Sequence, residues 1–187
     1  GVTLNYDPSY TTLAFPGGDV PRSKGVCTDV VIRAYRDAFA LDLQALVNAD
    51  MRRSFAAYPR RWGLRGPDRS IDHRRVPNLA TFFTRAHARL PIPRNGAEWQ
   101  PGDIFTSLID GRLPHTGIVS DRGPGYVIHN IGNGAREEDR AEHDEQVGVG
   151  PVTDRHEHSR GVEVADGAVD RVRDLYAFDR VGAVDVG

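Results

Sequence analysis

A single cysteine, Cys27, stands in 187 residues, so no disulfide can form within the chain and stability has to come from packing. Lysine is equally scarce: Lys24 is the only one among 24 basic residues, and the arginines that replace it fit a coding bias better than a design for phosphate contacts. Charge of one sign is missing too. Lys and Arg number 24 against 26 Asp and Glu, a formal net charge of −2, so no overall positive field draws nucleic acid or an anionic membrane. No stretch approaches the ~20 consecutive apolar residues that a membrane-spanning helix needs, and GVTLNYDPSY at the start lacks a charged opening followed by an apolar run. No internal repeat or long linker interrupts the chain. The length fits one domain able to bury a core, and the chain is expected to act as a monomer.

What is there divides into a loop-rich start, a helical middle and a β-rich stretch. Residues 1–26 are rich in Tyr, Pro and Gly and hold no apolar period. From Val26, the positions Val26, Val30, Val31, Ala34, Tyr35 and Ala38 recur at helical spacing, which places Cys27 in the first turn of an amphipathic helix. A second helix is expected over LDLQALVNADMRR, with Asp42 as its cap and Leu43, Leu46, Val47 and Met51 on one face. A third follows a turn at Pro77 and Asn78, with Leu79, Phe82, Phe83 and Ala86 inward. DIFTSLI, HTGIVSD and YVIHNIG, separated by the turn signals DGRLP and RGPG, read as an antiparallel meander. From Asn133 the sequence becomes charged and irregular until VRDLYAFDRVGAVDV offers a last helix or strand pair.

A thiol attacks as thiolate, and a helix N-terminus favours negative charge, so Cys27 is placed for a lowered pKa. It needs a base. His115 opens a strand straight after a turn, and His129 lies in the next strand, so a hairpin closed at RGPG makes the two near neighbours. His129, or alternatively Asn130, then orients His115, and the backbone N–H of Cys27 supplies one donor to an oxyanion.

GVCTDVVIRAYR, PDRSIDHRRVPN, WQPGDI, HTGIVSD and VIHNIG together resemble a bacterial domain family long catalogued without function and related to the NlpC-type cell-wall cysteine peptidases. The resemblance covers about residues 1–139 and leaves 140–187 as a divergent charged segment. It implies an α+β, papain-like core, a thioester acyl-enzyme built on Cys27, His115 and His129, and no cofactor or metal. It also implies that the partners are peptidoglycan stem peptides, in the periplasm or outside the cell. Substrate contacts are expected from Tyr10, Asp29, Asp72, His73, Arg75 and Asn130, although for the group Asp72–Arg75 capping and bracing a helix is the slightly favoured reading. Val26-Cys27-Thr28-Asp29 departs from the Asp-Cys-Ser-Gly usual around the nucleophile, and Tyr6 or Tyr10 has to stand in for a tyrosine ahead of Gly17-Gly18.

Three rival readings keep the same residues. Cys27, His73, His115 and His129, with His156 and His158, are zinc-ligand types, but no pair has tight double-Cys or HExxH spacing. The same thioester passed to an amine makes an acyltransferase or transamidase, and a cleft without chemistry makes a wall-peptide binding module.

Overall fold

The computed structural model describes residues 2–91 and 99–139. Three helices pack together, the first and third of them against a four-stranded antiparallel sheet, an α+β arrangement. The helices are α1 (Cys27–Phe39), α2 (Leu43–Ser54) and α3 (Val76–Arg85), and a short parallel pair, β1 (Asn5–Tyr6) with β2 (Lys24–Gly25), leads into α1. The sheet runs in simple sequence order through β3 (Ile104–Ile109), β4 (Leu113–Val119), β5 (Tyr126–Asn130) and β6 (Ala135–Asp139). The expected meander of three strands is therefore present, with a fourth strand added at its edge.

Each element begins where the local chemistry requires it. Asp42 caps α2 by accepting the N–H of Gln44 at 3.2 Å. Pro77 sits inside the first turn of α3 rather than ahead of it, because a residue there has no helical acceptor to lose and a proline costs nothing. The β3–β4 connection turns through Asp110 and Gly111, both at positive φ, and closes with the Arg112 N–H on the Ile109 carbonyl at 3.0 Å. That is the twist-matched hairpin that an Asp-Gly pair favours.

The core lies between the helices and the sheet. Val31, Ile32 and Tyr35 of α1 meet Leu43, Val47 and Met51 of α2, Leu79, Phe82 and Phe83 of α3, and Ile104 of β3. The inward face of α1 is turned from the expected stripe: Ile32 is buried, Ala38 is exposed, and Val30 and Ala34 lie at the boundary. The rotation follows from polar burial at the start of α1, where Thr28, Asp29 and Arg33 all turn inward.

Asp29 explains that burial. Its carboxylate accepts the Val26 N–H at 2.6 Å, closing the first turn of α1, and takes a two-point ion pair from Arg74, Nε at 2.9 Å and Nη2 at 3.0 Å. Both side chains are almost fully enclosed, 2% exposed for Arg74 and 3% for Asp29. The Thr28 hydroxyl adds a bond to the Arg74 carbonyl at 3.0 Å. The start of α1 is thereby tied to the 3-10 turn Asp72–Arg74 that leads into α3. Asp29→Ala strands the Arg74 guanidinium in the interior, and urea unfolding should show a loss of roughly 3–5 kcal/mol, whereas a loss below ~1 kcal/mol would mean the pair is not what joins the two segments.

Candidate functional site

Cys27 is the first residue of α1, following Val26 in extended conformation, and its side chain is buried. The backbone N–H groups of Thr116 and Thr28 approach its sulfur closely enough to favour the thiolate, so it lies against β4 one residue beyond His115. Burial nevertheless pushes the thiol up to about 11, and the donors only partly offset it. The lowered pKa expected from the helix terminus is thus reversed by desolvation. At neutral pH the group is a thiol, and any nucleophilic role requires a base to take its proton.

The imidazoles are joined. His115 Nε2 lies 2.8 Å from His129 Nδ1, with the ring planes at 69°. Register produces the contact: His129 pairs with Gly117, so His115, two residues earlier on β4, shares its face as a diagonal neighbour. Gly117 is what permits the approach, since a Cβ there would meet His129 Cβ, the Ile128 carbonyl oxygen and the Phe105 ring, each at 2.8 Å.

A third member was not foreseen from sequence. Glu138, on β6, places Oε2 3.2 Å from His129 Nε2 by the same diagonal geometry, since His129 pairs with Arg136. An ionised carboxylate only accepts, which fixes the tautomers along the row. His129 holds its proton on Nε2 towards Glu138 and accepts on Nδ1 from His115 Nε2–H. His115 is then left with Nδ1 as its basic atom.

In front of Cys27 opens a cleft of about 320 Å³, walled by Tyr6, Trp62 and three arginines, Arg61, Arg74 and Arg75. Of the residues expected to touch substrate, Arg75 alone lines this space. Its Nη1 is held by Asp72 at 3.0 Å, and its guanidinium lies 4.0 Å above the Trp62 ring. Asp72 also accepts the Asp68 N–H at 2.6 Å, and burial pushes its carboxyl up, so it braces the loop. Asp29 is occupied by Val26 and Arg74 as described above. His73 is buried and away from the cleft walls. Asn130 joins β5 to the approach to α1, donating to the Gly25 carbonyl at 3.0 Å, and so does not serve as the orienter bonded to His115. Tyr10 lies outside the cleft with its hydroxyl on Asp68, whereas Tyr6 is in the wall, where the charges of Cys27 and Asp29 add to burial in raising its pKa.

Glu138 escaped the sequence because it sits in an acidic run with no strand period, and Arg61 and Trp62 because their loop reads only as a helix break. A tryptophan in a polar loop was the available signal. Among the described residues no group of three His, Cys, Asp or Glu side chains gathers as a metal site. His156 and His158, like VRDLYAFDRVGAVDV, lie outside the described residues.

The fold and site thus define an α+β domain with a buried thiol at a helix start and a His–His–Glu row across its sheet. The chain belongs to the family described as Domain of unknown function (DUF1287), whose model matches residues 1–149. It is 53% identical over 143 residues to the uncharacterized protein YijF of Escherichia coli (strain K12), an alignment covering 74% of this chain and 69% of that protein. No solved structure matches it.

Two measurements probe this geometry. Burial pushes His73 down to about 4 from 6.5, so the folded chain binds fewer protons there than the unfolded one. That contribution is whole above pH 6.5 and lost towards pH 4, by up to about 1.4 kcal/mol per pH unit. Urea unfolding from pH 7 to 4.5 should be steeper in pH for wild type than for His73→Gln; equal slopes would show that His73 is not buried as a neutral ring. Gly117→Ala should push β5 from β4 and cost roughly 1–3 kcal/mol, with altered His129 ring resonances by NMR; unchanged resonances would refute the close approach.

Proposed function

We propose that the protein is a cysteine hydrolase with a papain-like, NlpC-type core, cutting peptide bonds in peptidoglycan stem peptides through a thioester on Cys27. The observation that carries this reading is the row Glu138–His129–His115, an orienter and base set that ends on β4 one residue before Thr116, the residue whose backbone N–H approaches the Cys27 sulfur. The α+β layering, with the cysteine at a helix start and the histidines on adjacent antiparallel strands, supports the same core. Such a substrate puts the protein in the periplasm or outside the cell.

In this mechanism His115 Nδ1 removes the Cys27 proton as sulfur attacks the carbonyl carbon, which overcomes the raised thiol pKa by moving the proton only when the bond forms. The imidazolium is steadied by His129, itself held by the Glu138 carboxylate. The oxyanion takes the Cys27 N–H and the Tyr6 hydroxyl, the wall tyrosine standing where the sequence left a choice between Tyr6 and Tyr10. His115 returns its proton to the leaving amine, freeing it and leaving the thioester. Water then gives a proton to His115 and attacks the same carbon, the acid departs, and the thiol is restored.

The test is mass spectrometry of purified peptidoglycan fragments incubated with wild type and variants. New peptide fragments should appear with wild type and vanish with Cys27→Ala, a loss of roughly 10⁴-fold or more. Glu138→Gln and His129→Ala should retain part of the rate, falling by about 10²-fold, because they alter the orientation and charge of the base rather than bond making. Cleavage that persists in Cys27→Ala would end the proposal; no cleavage by any form would favour transfer to an amine or plain binding.

A further inference from the structure

The cleft wall has a charge that the mechanism does not use. Arg61, Arg74 and Arg75 all line it, with no carboxylate among the lining residues. Two of the three are partly spent on internal partners. Arg74 is paired with Asp29, yet its Nη1 is buried and has no hydrogen-bond partner among the described residues, although the residue as a whole is 6% exposed. A charged donor left unpaired in the interior carries an unrecovered desolvation cost, so such a group on a residue that lines a cavity points to a ligand that completes it. Arg75 gives Nη1 to Asp72 and lies over the Trp62 ring, two contacts that restrict its fork. Arg61 is exposed at the rim and forms no ion pair among the described residues.

The charges decide the class of ligand. Arg74 is offset by Asp29 and Arg75 by Asp72, and Arg61 is not offset, so the wall carries a single net positive charge. That matches one carboxylate better than a doubly charged phosphate. Guanidinium forks bind a carboxylate in its plane through paired N–H donors, and the Trp62 ring offers an apolar face for the carbon chain that bears it.

We propose that the cleft is a carboxylate subsite: Arg61, Arg75 and Nη1 of Arg74 hold a free carboxylate of a peptide whose neighbouring carbonyl is presented to Cys27. This names the substrate class for the hydrolase reading and rests on it for the cleavage step, while the binding step stands independently. Amidation of that carboxylate removes the charge and replaces half of its acceptors with a donor that faces guanidinium N–H groups, so an amidated peptide is refused.

The experiment separates the two claims. Cys27→Ala, which cannot turn over, is titrated by calorimetry with a synthetic γ-glutamyl stem peptide bearing a free α-carboxylate and with its α-carboxamide twin. The carboxylate form should bind about tenfold or more tightly, the worth of one hydrogen bond between charged groups. Arg61→Gln in the same background should erase that preference; this exposed residue is not part of the core, so the variant stays folded. Equal binding of the twins, binding of neither, or inorganic phosphate competing more strongly than the peptide carboxylate would each overturn the subsite. Carboxylate preference without wild-type cleavage would leave the subsite standing and remove the hydrolase, whereas cleavage of both twins at one rate would do the reverse.

Discussion

The two oxygens of the Asp29 carboxylate hold most of the functional geometry together. One closes the first turn of the helix that begins with Cys27, and both receive Arg74 from a segment 45 residues further on. Because the pair is enclosed, removing either partner leaves a bare charge in the interior. The pair therefore fixes the distance between the thiol and the arginine wall. What approaches that wall from the cleft is placed relative to the sulfur without any further device.

The sheet contributes through register, which brings side chains of neighbouring strands within bonding range. A row of three polar groups crosses β4, β5 and β6 because each member sits two residues from the directly opposed position on its neighbour. A one-residue slip would send one ring to the opposite face. Gly117 secures the tight spacing on one side of His129, and burial of His115 and His129 keeps water from competing for the contact. Membership of a family without assigned function gives this row particular value, since the chemistry has to be read from the arrangement itself.

How much of this was legible in the sequence follows from where each signal resides. The helix starting at Cys27, the Asp42 cap and the His115–His129 neighbourhood come from local spacing and turn chemistry, which act over a few residues and are written in the chain directly. The inward rotation of α1 was not legible, because Thr28, Asp29 and Arg33 look like solvent-facing residues until their distant partners are known. The rise in the thiol pKa depends on how deeply Cys27 is enclosed, a property of packed tertiary structure, and so overrode the simple helix-terminus argument. β6 escaped because an edge strand is kept polar and shows no apolar alternation, and Glu138 was hidden with it.

That position has its own consequence. Among the described residues β6 pairs with the sheet through β5 alone, and its other side is tied only at Ala135, whose N–H meets the Thr3 carbonyl at 2.9 Å, so beyond that residue its hydrogen bonds can open locally at a lower free energy than the whole domain requires. When it opens, the carboxylate leaves His129 while α1, the arginine wall and the inner histidine stay in place. The tautomer of the row would then no longer be fixed by that carboxylate, with the fold itself unchanged.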